Sequence, residues 1–162
     1  MIELEPILTA LTVNQVHFVI IGGVAITAHG SAYVTSDLDI AFLRTRENTD
    51  RICNALQQFQ PRPRGFPEDL PFVFDSSTLL NGTNFTFTTT VGDIDLLAEV
   101  AGVGSYEDVL ASSIQMKLLG NDVRVLSIDG LIAAKRAAGR TKDLLVLPEL
   151  EALREAIADA EE

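Results

Sequence analysis

The chain has 162 residues, 47% of them hydrophobic and 22% charged, which suffices for a substantial core and fits one domain spanning 1–162. No run reaches the roughly 18 apolar residues that cross a bilayer. The start MIELEPILTALTVNQV has acidic residues early, and the apolar VHFVIIGGVAI stretch has neither a basic leader nor a small-residue cleavage site, so a soluble, cytoplasmic protein is expected instead of a secreted one. The formal charge of −11, from 23 acidic and 12 basic residues, disfavours non-specific binding of duplex nucleic acid, yet leaves room for a nucleotide whose phosphates a metal neutralises.

Taken in chain order, residues 3 to 15 read as a helix, with Leu4, Ile7, Leu8 and Leu11 at helical spacing. A strand from Val16 to Ile21 ends at Gly22-Gly23, and a short helix covers Val24 to His29. Gly30 and Ser31 break that helix, Ser36 to Leu43 alternates as a second strand, and a helix follows from Glu47 to Phe59. The segment QPRPRGFPEDLP holds four of the six prolines and reads as an irregular, mobile connection. Candidate strands come next at Phe72 to Asp75, Phe85 to Thr90 and Ile94 to Glu99, the last two joined as a hairpin.

After a loop at Gly102 to Ser105, Ile114 to Leu119 and Val123 to Leu126 flank the turn Gly120-Asn121-Asp122 as another hairpin. Two helices close the chain, one from Ser127 to a C-capping Gly139 and one capped by Thr141. Strands linked by both hairpins and helices imply an α+β, or mixed α/β, domain. Its sheet would be mixed, with helices packed mainly on one face and C-terminal helices completing it.

The chemistry concentrates where Gly22-Gly23 is followed, after thirteen intervening residues, by Asp37-Leu38-Asp39. Residues two apart on a strand share a face, so Asp37 and Asp39 stand side by side while Leu38 and Ile40 enter the core. Such paired anions repel, and a divalent cation with hard oxygen ligands relieves the penalty. The glycine pair lets backbone approach a phosphate, with unpaired helix N–H groups just beyond. Asp93 and Asp95 repeat the two-apart spacing. Asp95, set between Ile94 and Leu96, is preferred as a third ligand because Asp93 follows Gly92 and suits a turn.

These residues resemble a known family. GGVAITAHGSAYVTSDLDIAF is similar to the signature of the nucleotidyltransferase superfamily related to polymerase beta, and VGDIDLLAEV resembles its third-carboxylate strand. The ending LIAAKRAAGRTKDLLVLPELEAL is similar to the closing helices of small bacterial members, which include toxin-like proteins of abortive-infection systems. The resemblance implies the nucleotidyltransferase fold, Asp37, Asp39 and Asp95 binding Mg2+ (or Mn2+), and Gly22 and Gly23 holding a nucleoside triphosphate. Many relatives carry an arginine where this chain has Tyr33.

Lys135, Arg136, Arg140 and Lys142 place four basic residues in eight positions, the densest basic cluster of the chain. If the closing helices reach the sheet edge, Lys135 and Arg140 meet the triphosphate. Otherwise they complement a helix end or pair with Asp143 and Glu149. His29, alone in a short apolar helix, is read as structural, and the single Cys53 as a small buried hydrophobe. No role is assigned to Arg62, although Arg64 could face an acceptor.

The leading expectation is a magnesium-dependent transfer of a nucleoside monophosphate to an acceptor hydroxyl on RNA, protein or a small molecule. In it Asp95 and Lys135 join Asp37 and Asp39 as catalytic groups. The rivals are a non-catalytic module of the same fold that binds a nucleotide or a protein partner, as in a toxin–antitoxin pair, and a metal-dependent phosphohydrolase.

Overall fold

The computed structural model describes residues 2–161. Helix α1 (Leu4–Val13) buries Ile7, Leu8 and Leu11, the stripe that helical spacing places on one face. Strand β1 (Phe18–Ile21) is buried along its whole length and runs directly into the short helix α2 (Gly22–Ala28). Strand β2 (Asp37–Phe42) follows, then α3 (Arg46–Leu56), whose start is capped by Thr45 accepting from the Asn48 amide. One 3-10 turn (Gln57–Phe59) extends α3 and leads to the two-residue strand β3 (Arg62–Pro63).

The expected strand Phe72 to Asp75 does not form. Pro71 has no amide to offer a ladder, and β3 already occupies the free edge of β4 (Asn84–Thr89). The period-2 pattern of that segment still acts, because Phe72 and Phe74 pack on Phe87 with ring centroids 6.2 and 5.4 Å apart while Val73 faces out. Asp75 instead caps α4 (Ser76–Leu80) by accepting from the Thr78 amide.

Beyond β4 come β5 (Gly92–Leu97), the small pair β6 (Glu99–Val100) and β7 (Gly104–Ser105), and α5 (Tyr106–Ala111). The hairpin of β8 (Ser113–Leu118) and β9 (Asn121–Leu126) then leads into α6 (Ile128–Ala138) and α7 (Thr141–Glu161). Gly139 ends α6 at φ 66°, the left-handed C-cap its position predicts. The acceptor at the start of α7 is Asp143, which receives the Arg140 amide, and Thr141 lies inside the first turn. No helix among the described residues is long and apolar enough to cross a membrane.

Seven strands form one mixed sheet in the order β3-β4-β5-β2-β1-β9-β8. The two predicted hairpins, β4–β5 and β8–β9, are antiparallel, whereas β2–β5 and β1–β9 are parallel. Leu38, Ile40, Ile94, Leu96 and Phe87 are buried, and their register neighbours Asp37, Asp39, Asp93 and Asp95 point to the opposite face. The hydrophobic alternation thus sets which face carries the acids. A one-residue slip would bury the carboxylates, so burial of the leucine and isoleucine set defends the register.

Candidate active site

Parallel pairing of β2 with β5 places Asp37 opposite Asp93 and Asp39 opposite Asp95. One carboxylate oxygen from each of Asp37, Asp39 and Asp95 lies within 4.8 Å of the others. Asp39 sits at the centre of this group. Its Oδ1 is buried without a hydrogen-bond partner, and its other oxygen lies against Gly22 at the end of β1. Gly22 has φ +66°, and a Cβ there would run into Asp39 Oδ2, so both backbone conformation and space require glycine.

Burial pushes the Asp39 carboxyl up to about 7, with Asp95 and then Asp37 adding to the rise and Lys135 opposing it. An orphaned buried oxygen among three converging carboxylates is the arrangement that a hard divalent cation completes, so the residues present fit Mg2+ or Mn2+.

Gly23 is hemmed in differently. A Cβ there would stand 2.7 Å from Thr35 Cβ and 2.9 Å from Tyr33 Cε1, so the segment between α2 and β2 folds over the glycine turn. Thr27 Oγ1 donates to the Tyr33 carbonyl at 2.8 Å, and Ser31 Oγ donates to Glu149 at 2.6 Å, tying that segment to α2 and α7. Glu149 is thereby occupied away from the basic cluster.

The cations of α6 and α7 gather on one buried acid. Asp143, fully buried, accepts from Lys135 Nζ at 3.2 Å and from Arg140 Nε at 2.7 Å. Arg140, followed by Lys135, holds the Asp143 carboxyl below the usual carboxylate range. Lys135 is close enough to Asp39 to oppose its rise, and it lines an apolar pocket of about 170 Å³ with Ile21, Gly22, Leu97 and Leu131. A larger hollow of about 480 Å³ near Ser112 and Asp129 includes none of these residues. Arg136 pairs instead with Glu151 at 2.7 Å.

One group near the carboxylates is assigned no role by the sequence alone. Arg64, from the proline-rich segment, donates through Nη2 to Asp95 Oδ1 at 2.8 Å and lies 3.4 Å from Asp93 through Nε. Asp93 is a strand residue and not part of the turn, yet its carboxylate belongs to Arg64 and lies outside the three-acid group. Asp143 is the partner that the sequence offered Lys135 and Arg140 in place of a triphosphate, and both ion pairs form.

His29 Nε2 donates to the Leu126 carbonyl at 2.8 Å, a structural bond. Burial, then Asp75 and Asp50, pushes the Cys53 thiol up to about 11, which keeps it protonated and unreactive at neutral pH.

No family model matches the chain, and no curated protein matches it significantly. Solved structures do. A proposed nucleotidyltransferase from Thermotoga maritima superposes with a TM-score of 0.54 at 14% identity, covering 98% of this chain and 96% of that one. The antibiotic-resistance factor ANT(2″)-Ia matches twice. Crystallised with adenylyl-2″-tobramycin, it gives a TM-score of 0.55 at 18% identity, covering 97% of this chain and 95% of its own. In its solution structure it gives 0.52 at 17% identity, covering 96% and 89%. The chain therefore has the nucleotidyltransferase fold, as the glycine pair and the two aspartate strands led one to expect.

Proposed function

We propose that the protein transfers a nucleoside monophosphate from a nucleoside triphosphate to an acceptor hydroxyl, releasing pyrophosphate. The observation that carries this reading is the convergence of Asp37, Asp39 and Asp95 within 4.8 Å beside Gly22, on a fold shared with nucleotidyltransferases. Asp37, Asp39 and Asp95 would hold Mg2+ (or Mn2+), which supplies neutralisation of the triphosphate and acidifies the acceptor hydroxyl.

The chain's own groups do the rest. Lys135, held by Asp143 in the lining of the apolar pocket, and Arg140 beside it offer positive charge to the phosphates. Gly22 keeps the end of β1 free of any side chain where the Asp39 carboxylate lies, and Gly23 continues that bare backbone. Asp95 takes the acceptor proton at a carboxylate oxygen as the acceptor oxygen bonds to the α-phosphorus and the bond to the β-phosphate oxygen breaks. Leu97 and Leu131, which line the same pocket, exclude water from one side of this site.

A second reading, a nucleotide- or protein-binding module without turnover, such as half of a toxin–antitoxin pair, is favoured by Tyr33. Its ring lies over Gly23 where many relatives of the resembled family carry a cation. The two separate in one assay. The protein is incubated with Mg2+ and α-labelled triphosphates in the presence of RNA, protein or small polyhydroxylated acceptors. Label on an acceptor with stoichiometric pyrophosphate supports transfer. Labelled monophosphate alone would identify a phosphohydrolase, and unchanged triphosphate that is nonetheless bound would identify the module.

A further inference from the structure

Four carboxylates, Asp37, Asp39, Asp93 and Asp95, face one side of β2 and β5. Among the described residues Arg64 is the one cation within ion-pair distance of any of them. Its placement follows from the sheet. The Arg64 amide donates to the Thr86 carbonyl at 2.9 Å, continuing the β3–β4 ladder, and Thr86 lies opposite Asp95 in the β4–β5 register. The guanidinium therefore reaches across one strand to the third carboxylate, bonding Asp95 Oδ1 at 2.8 Å while Asp93 stands farther off at 3.4 Å.

We propose that Arg64 is the resident counter-cation of the acid cluster, which an arriving divalent metal must displace from Asp95, so that metal binding and the placement of the Arg64 side chain are linked. The inference rests on the reading of Asp37, Asp39 and Asp95 as a metal site. A monovalent cation lowers the mutual repulsion of the acids while no metal is present. Once a dication shares the same carboxylate, two positive charges stand a few ångströms apart, and the guanidinium opposes the ion it had stood in for.

The opposite role, holding Asp95 in aim for the metal, would need a guanidinium fixed in place. Arg64 is not so fixed: its side chain is 36% exposed, it makes one short bond, and the next residue, Gly65, has φ +80° with open space around it. The exposed guanidinium can swing off Asp95 while the Arg64 amide stays on the Thr86 carbonyl.

The test measures Mn2+ binding to the full chain without nucleotide, by calorimetry and by the electron paramagnetic resonance of free Mn2+. It compares native protein with Arg64→Gln, Arg64→Lys and Asp37→Ala/Asp39→Ala. Arg64→Gln should bind Mn2+ about tenfold tighter, the scale of an ordinary coupling between two sites, while Arg64→Lys, which keeps the charge, stays near native. In EDTA, Arg64→Gln should melt below native protein, and saturating Mn2+ should erase the gap.

Unchanged or weakened Mn2+ binding in Arg64→Gln, with native binding still dependent on Asp37 and Asp39, overturns the counter-cation role alone. Native protein that binds no Mn2+, or binds it equally well in Asp37→Ala/Asp39→Ala, overturns the metal site and this inference with it.

Discussion

Replacing Asp39 by asparagine should make the metal-free protein more stable while removing its affinity for a divalent cation. The folded chain holds the Asp39 carboxyl at about 7 against an ordinary value of 3.8, burial being the largest cause and the neighbouring Asp95 and Asp37 the next. Below pH 4 the group is protonated in both folded and unfolded chains and contributes no penalty. Between pH 4 and 7 the unfolded chain releases its proton while the folded chain keeps it, so stability falls as pH rises, and above pH 7 the whole loss persists. At 1.36 kcal/mol per pH unit the shift sets a ceiling of about 4 kcal/mol, and because the site can relax and admit water, about 2 kcal/mol is the expected size.

Asparagine has the same shape but does not ionise, and its amide can donate to Asp95. In EDTA at pH 8, Asp39→Asn should therefore melt roughly 4 to 8 °C above native protein, and at pH 4 the two should coincide. Calorimetric melting at both pH values decides it. A variant no more stable than native at pH 8, or equally stabilised at pH 4, would refute the claim that the cluster stores like-charge repulsion.

Gly22→Ala forces a side chain into Asp39 Oδ2 at φ +66°, so it should cost about 1–3 kcal/mol and lower Mn2+ affinity as well, measured by melting and calorimetry. Asp143→Ala strands Lys135 and Arg140, but their side chains are 20% and 62% exposed and water can take them up. The loss should be about 1–2 kcal/mol in denaturant melts, less than the roughly 3–5 kcal/mol of a sealed pair. Because Asp143 is held below the usual carboxylate range, its stabilisation is present above that range and fades as pH falls through the folded value, so the gap between native and Asp143→Ala should narrow in acid. Cys53 should resist alkylation at pH 8 in the folded protein and react at once in denaturant.

What was legible in the sequence is what period and turn chemistry encode locally. Strand alternation put Asp37 and Asp39 on one face, and the same rule placed Asp95 on a second strand, although only the parallel β2–β5 pairing shows that the two strands are neighbours. The preference for Asp95 over Asp93 matches the three-acid group, but its reason does not hold, since Asp93 is a strand residue drawn off by Arg64.

The pairing of Arg64 was illegible because its nearer partner, Asp95, is 31 residues away and reached just beyond the two-residue strand β3, a length at which alternation carries no signal. The false strand at Phe72 to Asp75 shows the reverse: alternation was present and its aromatic face is packed, but the ladder edge was already taken. Helix α5 did have a mark, the capping box of Ser105 and Asp108, hidden in what read as a glycine loop.

The central claim, that Asp37, Asp39 and Asp95 form a cation-dependent nucleotide site, is tested most directly by calorimetric titration of nucleoside triphosphates into native protein and Asp37→Ala/Asp39→Ala, with and without Mg2+. Binding by the native chain only when Mg2+ is present, lost in the double variant while its fold persists, is the predicted result. Triphosphate binding that is indifferent to Mg2+ or to the two aspartates, or no binding by the folded native chain at millimolar Mg2+, would contradict it.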